Sequence, residues 1–269
     1  MVVPLDRERL LAAVERSPQA AAAHDRAGWT GLFSDDGRVE DPVGSRPHVG
    51  QAQIGRFYDT FIGPRDITFH RDLDIVFGTT VLRDLELEVA MGAAVTMHIP
   101  ALLRYDLREA NGDWRIARLR AYWELPAMMR QFLRTGSRAA APAVQLSRGL
   151  LANQGLRGSL GFLAGFRRAG ARHKRLTEAF LGAVAANDEA GALRPLSSTA
   201  AMTLGDLKGG GRLDAAELVG RLEGVSWTKT IGAGNTVAVS VSTAHGRGIL
   251  FADVAWPRNA IDAVRYFPA

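Results

Sequence analysis

The sequence predicts an α+β protein built from two similar units in tandem. Three observations carry that expectation. Helical text precedes strand-like text across residues 6–123, which is the order of an α+β domain. The same order returns, more faintly, across residues 172–269. The segment Val264-Arg265-Tyr266-Phe267 also echoes Leu119-Arg120-Ala121-Tyr122-Trp123 at the matching point of the first half. A pair of unrelated α+β domains is the alternative. With 269 residues, the chain has room for two domains of roughly 100–150 residues each. The expected division is 1–133, a basic connector over 134–170, and 171–269.

In the first half, Leu10, Leu11, Val14 and the alanines 20–23 recur at helical spacing, so residues 6–28 read as helix with a break or kink at Pro18. Trp29, Leu32 and Phe33 continue the apolar face until Ser34-Asp35-Asp36-Gly37 stops it. Val39 to Asp41 reads as a short strand. A helix over 51–61 ends at Gly63-Pro64. Strand-like runs follow at 67–77, 81–91, 95–107 and 114–123, the last two joined by Asn111-Gly112, a hairpin turn pair. In the second half, helices are expected over 173–190 and 214–222, with a glycine turn at 209–211. Strands are expected near 200–204, 226–231, 236–243, 248–255 and 261–267.

The composition, 47% hydrophobic and 23% charged, is that of an ordinary globular protein. Cysteine is absent, which excludes disulfides, thiolate metal sites and cysteine nucleophiles and fits a reducing cytoplasm. The charged start, Asp6-Arg7-Glu8-Arg9, does not read as an export signal. No apolar run approaches the roughly 20 residues of a membrane span. The net charge of +5 is unevenly spread: nine Arg or Lys and no acid lie between Gln131 and Thr177, leaving the remainder net negative. The high charge is therefore no argument for nucleic-acid binding, and the connector 134–170 offers only Phe162 and Phe166 for base stacking. Contact of residues 139–175 with an anionic membrane surface is weighed against a linker packed on a domain. Glycines such as those at 149, 155, 158 and 161, which weaken a long helix, favour the linker. Histidine and carboxylate spacing predicts no metal site, and the glycine clusters lack both phosphate-loop and dinucleotide fingerprints. No cofactor is expected.

One carboxylate stands out. Asp41 sits before Pro42-Val43-Gly44 at the mouth of an apolar helix, where desolvation would raise its pKa toward a working proton acceptor. Capping the turn before Pro42 is its bland alternative. The run Val39-Glu40-Asp41-Pro42-Val43-Gly44, followed by Gly50 and Phe57-Tyr58, resembles the bacterial ketosteroid isomerases, the SnoaL-like group within the nuclear transport factor 2-like superfamily. His24-Asp25-Arg26-x-Gly28-Trp29, Phe57-Tyr58-Asp59-Thr60 and Arg120-Ala121-Tyr122-Trp123 look similar to the mycobacterial members, and the resemblance covers about residues 10–125.

That resemblance implies a cone-shaped fold of helices on a curved antiparallel sheet. It also implies a steroid or similar apolar polycyclic ketone as ligand, and Asp41 as the base moving a proton from one carbon to another. The family's oxyanion donors are absent: its helix tyrosine falls at Ser17 and its strand aspartic acid at Leu102. Tyr58, at the position of a supporting tyrosine, and His98, four positions from Leu102 on the same strand face, are the replacement candidates. Phe57, Leu102, Tyr122 and Trp123 are the expected ligand contacts, with one of the last two facing inward. A non-catalytic binding protein is the second reading. An epoxide hydrolase or polyketide cyclase of the same fold, using Asp66 or His70 as an additional acid, is the third. The second unit offers no equivalent base, Leu204 falling near the place of Asp41. It is expected to act as an internal partner in place of a second chain, with a homodimer as the alternative.

Overall fold

The computed structural model describes residues 4–91, 95–139, 143–144, 148, 152, 170–206, 211–254 and 259–269. It divides into two units, Met1–Arg167 and Arg168–Ala269. The expected connector 134–170, with its membrane-contact alternative over 139–175, lies largely outside the described residues, as do Arg157, Arg167 and Arg168.

The first unit starts with α1 (Pro4–Ala22) and α2 (Arg26–Gly31). The break falls later than Pro18, through which α1 runs unbroken. The chain turns instead at His24, whose φ of 52° leaves the helical region. Asp25 then caps α2, accepting from the Gly28 amide at 2.8 Å. A side chain at position 28 would collide with that carboxylate.

Next comes β1 (Phe33–Glu40), longer than expected. Residues 34–37 do not stop the chain but form an irregularity within the strand, between the paired positions Phe33 and Arg38. Gly37 makes this feasible, since a Cβ there would lie 2.7 Å from the Ser34 carbonyl. β2 (His48–Val49) leads into α3 (Gly50–Phe57), which widens into a π-helical turn, Tyr58–Ile62. Four strands then run antiparallel: β3 (Asp66–Phe77), β4 (Thr80–Ala90), β5 (Thr96–Ala110) and β6 (Asp113–Tyr122). Asn111 and Gly112 make the turn between the last two, both with positive φ. α4 (Leu125–Arg134) follows.

The sheet order is β2-β1-β6-β5-β4-β3, with β1 parallel to β6. Strand alternation sorts the side chains. Val81, Leu85 and Val89 of β4, with Met97, Ile99 and Ala101 of β5, join Leu10, Val14, Trp29, Ile54 and Phe57 in one core. Leu82, Leu102 and Tyr122 have the opposite parity and stand outside that core.

One buried charge belongs to the core-facing set. Arg83 is 2% exposed. Its Nε and Nη2 donate to Asp74 at 2.8 and 3.0 Å, and Nη2 also donates to Glu15 of α1 at 2.9 Å. This fork ties the first helix to the sheet.

The second unit repeats the architecture. α5 (Ala171–Ala185), α6 (Glu189–Leu193), β7 (Leu196–Leu204), β8 (Arg212–Leu213), α7 (Ala215–Arg221), β9 (Ser226–Ala233), β10 (Thr236–Thr243), β11 (Gly246–Val254) and β12 (Ile261–Pro268) follow in that order. The sheet order β8-β7-β12-β11-β10-β9 copies the first, including a parallel β7–β12 pair. Asp214 and Glu217 cap α7 reciprocally. The expected glycine turn at 209–211 falls mostly outside the described residues.

Local detail repeats as well. Asn187 has φ 53°, Asp188 caps α6 through the Gly191 amide at 2.8 Å, and β7 starts five residues after that glycine. His24, Asp25, Gly28 and Phe33 form the same series at the same spacing. Tandem nuclear transport factor 2-like units account for both the topology and this repeat.

Replacing Arg83 with alanine removes the buried cation of this cluster and leaves the exposed Arg71, 3.3 Å from Asp74 and 3.5 Å from Glu15, as their remaining partner. The variant should lose roughly 1–3 kcal/mol of stability, measured as a lower urea midpoint with secondary structure retained in the absence of denaturant.

Candidate functional site

Asp41 is the residue immediately beyond β1, whose last pair sets Glu40 beside Arg120 of β6. The chain is pinned just past it. The Val43 amide donates to the Ala121 carbonyl at 2.8 Å, and the Ser45 amide donates to the Pro42 carbonyl at 3.0 Å. The Asp41–Pro42 peptide is cis. Trp123 is the residue immediately beyond β6, so parallel pairing of the two strands brings it to Asp41. Its Nε1 donates to Asp41 Oδ1 at 2.5 Å.

Beside this pair lies a cavity of about 230 Å³. Phe57, Phe61, Ile62, Ile67, Leu87, Val89, Met91, Met97 and Ile99 line it from α3, the π-helical turn and the sheet. Met128, Met129 and Phe132 of α4 close it, with Ala143. Asp41 and Arg65 are the two ionisable groups in that wall. Burial pushes the Asp41 carboxyl up to about 6, with the Trp123 hydrogen bond pulling the other way. The residue keeps some accessibility because it faces the cavity, yet protein surrounds its carboxyl on every other side. A carboxyl poised there can both take and release a proton near neutral pH.

Of the expected ligand contacts, Phe57 and Trp123 line the cavity. Tyr122 does not: it pairs with Leu102 across β5 and β6, and both point from the opposite face of the sheet. His98 also faces outward, because its neighbours Met97 and Ile99 take the inward parity. Its Nδ1 lies 3.0 Å from Glu86, and the ring is exposed. Tyr58 is buried, but against Trp29 (ring centroids 5.6 Å apart) and not along the cavity wall. Its hydroxyl has no hydrogen-bond partner among the described residues, and burial raises its pKa.

Ser17 accepts from Trp29 Nε1 at 3.2 Å within the core, away from the lining. Asp66 and His70, the extra acids of the epoxide reading, pair with His24 and Glu88 at exposed positions. Two features of the wall escaped the sequence. Arg65 follows Gly63-Pro64, which reads only as a helix stop. The triplet Met128, Met129 and Phe132 carried the available signal, apolar residues at i, i+1 and i+4 on one helical turn.

Residues 10–131 match the model of the nuclear transport factor 2 domain. That match lies wholly within the first unit. Among solved structures, the Delta 5-3-ketosteroid isomerase from Mycobacterium sp. is similar at 29% identity, over 45% of this chain and 96% of that one, with a TM-score of 0.41. RV0760c from Mycobacterium tuberculosis, in complex with estradiol-17beta-hemisuccinate, is similar at 27% identity over 44% and 95%, with a TM-score of 0.40. An LEH-like epoxide hydrolase from M. tuberculosis is similar at 18% identity over 50% and 97%, with a TM-score of 0.42.

The second nuclear transport factor 2-like unit does not repeat the acid. Sixteen residues beyond Asp25 stands Asp41, and sixteen beyond the matching Asp188 stands Leu204, packed against that unit's core. Among the described residues no group of three or more His, Cys, Asp or Glu is placed to hold a metal ion. No helix among them is long and apolar enough to cross a membrane.

Two measurements follow from the burial of Asp41. Its folded pKa near 6 lies above the ordinary 3.8, so the native state holds a proton that the unfolded chain has released. Stability therefore falls as pH rises from about 4 to about 6, and the deficit persists above that window. Asp41→Asn should be more stable than the wild type at pH 8 by roughly 1–3 kcal/mol, with little difference at pH 4, read from denaturant midpoints. Trp123→Phe removes the donor that favours the carboxylate, so the Asp41 titration followed by carbon NMR should move above pH 6.

Proposed function

We propose that the first unit binds an apolar polycyclic ketone of the steroid type, with Asp41 as the base that shifts a proton between two of its carbons. One observation carries this reading: a carboxylate set among apolar side chains, hydrogen-bonded by Trp123 and titrating near pH 6. Trp123 engages Oδ1, which leaves Oδ2 to act. The C–H bond alpha to the carbonyl breaks, the proton passes to Oδ2, and the electron pair delocalises as a dienolate. Return of the proton to the gamma carbon then moves the double bond into conjugation. Apolar walls and the indole face of Trp123 suit a flat, greasy ligand.

The dienolate oxygen needs donors, and here the site is poor. Tyr58, His98 and Ser17 stand outside the lining, and the Trp123 N–H is already committed to Asp41. Each strong oxyanion donor is worth about 10²–10³ in rate, so turnover is expected to be slow. The same observation favours a second reading, ligand binding without turnover. Epoxide opening loses support, since it needs a second acid beside the ligand and Asp66 and His70 pair elsewhere.

The deciding assay follows conjugated-enone absorbance with 5-androstene-3,17-dione. A slow rise that increases with pH through about 6 and disappears in Asp41→Asn is the expected result. Saturable binding with unchanged absorbance would identify the binding reading. Absence of binding would sink both.

A further inference from the structure

The cavity wall holds a second charge that the proton shift does not use. Arg65 lies between the π-helical turn and β3, and its Nη1 donates to the Thr60 and Phe61 carbonyls at 2.7 and 2.8 Å. Those bonds orient the guanidinium but leave its charge unmatched: no carboxylate among the described residues pairs with it. Arg83 shows how this domain treats a structural buried cation, with two carboxylates in direct contact. Burial lowers the Arg65 pKa to about 10, which still leaves it charged at neutral pH.

The position of Arg65 is as telling as its charge. Asp41 and Trp123 stand at the ends of the adjacent strands β1 and β6, whereas Arg65 precedes β3, the far edge of the sheet. Three inter-strand steps separate β6 from β3, roughly 14 Å along the sheet surface. The two groups also differ in level along β5. Tyr122, beside Trp123, pairs with Leu102, while Asp66, beside Arg65, pairs with Ala90, whose partner on β5 is Thr96. Burial and Trp123 set the Asp41 pKa, and Arg65 does not figure among its influences. The cavity therefore has a proton acceptor at one end, a fixed cation at the other and apolar walls between.

We infer that the ligand is an elongated apolar ketone carrying an acidic group, such as a carboxylate, at the end remote from its carbonyl, and that Arg65 is the residue that selects that group. A guanidinium fork whose Nε and Nη2 have no partner among the described residues matches a carboxylate in geometry and charge. Bonds to backbone carbonyls hold it in advance, so little ordering remains to be done when the ligand arrives. A neutral ligand of the same shape fills the walls equally but leaves the cation unmatched. The inference rests on the cavity being a ketone site, as proposed above.

Calorimetric titration of the full chain with 3-oxo-androst-4-ene-17β-carboxylic acid and with its methyl ester tests this. The acid should bind at least about tenfold more tightly than the ester. Arg65→Gln should erase that preference by weakening the acid alone, and Arg65→Lys should keep part of it. The retained ester affinity reports that the variant cavity is intact, even though Arg65 also caps the preceding turn. Equal wild-type affinities, a preference that survives Arg65→Gln, or equal weakening of both ligands would overturn the role of Arg65 while leaving the ketone site standing. Failure of either ligand to bind the wild type would overturn the ketone site, and this inference with it.

Discussion

A carboxylate withdrawn from water must find a donor or give up its charge, and that requirement organises the first unit around Asp41. The donor is the indole N–H of Trp123, 82 residues further along the chain. The two meet because β1 runs parallel to β6, with the three-stranded antiparallel run and its hairpins closing the long connection between them. One hydrogen bond offsets only part of the desolvation, which is why the group titrates near 6. The rest of the wall keeps water scarce: Phe57 and Phe61 from one side, Met97 and Ile99 from the sheet, and α4 with its methionines as cover. Methionines suit such a cover because their flexible thioethers accommodate irregular apolar shapes.

Two arginines of this domain, the buried Arg83 and the half-buried Arg65, illustrate how the surroundings of a charge reveal its use. Arg83 has its charge met by Asp74 and Glu15, and it joins α1 to the sheet. Arg65 has its geometry met by carbonyl oxygens and its charge met by no carboxylate among the described residues. The first arrangement is complete in the protein as it stands. The second leaves its charge for the acidic ligand inferred above.

The second unit separates architecture from chemistry. Its strand order, its parallel closing pair and even the cap of its short second helix repeat those of the first. The left-handed turn, capping aspartate and following glycine recur because the glycine must approach the capping carboxylate more closely than any Cβ permits. Leu204 at the counterpart of Asp41 carries no such constraint, since an apolar residue is content in an apolar core. The fold survives loss of the acid, as expected when the site is an addition to a scaffold and not a part of its stability.

Much of this molecule was legible in the residues alone. Helical and strand periodicities, the Asn111-Gly112 turn and the Asp41-Pro42-Val43-Gly44 run act over a few neighbours, so composition and spacing report them directly. Errors arose where distant partners decided the outcome. Pro18 reads as a break, yet packing keeps α1 continuous to Ala22. Residues 34–37 read as a stop, yet pairing with β6 draws them into β1. His98, Leu102 and Tyr122 were candidates for the wall, and register set them on the other side: one residue of shift on a strand exchanges inside for outside. Sequence alone thus determined the order of elements, the duplication and the acid at position 41. Which side chains share the cavity with that acid, Trp123 and Arg65 above all, was decided by strand pairing between segments far apart in the chain, which no local pattern records.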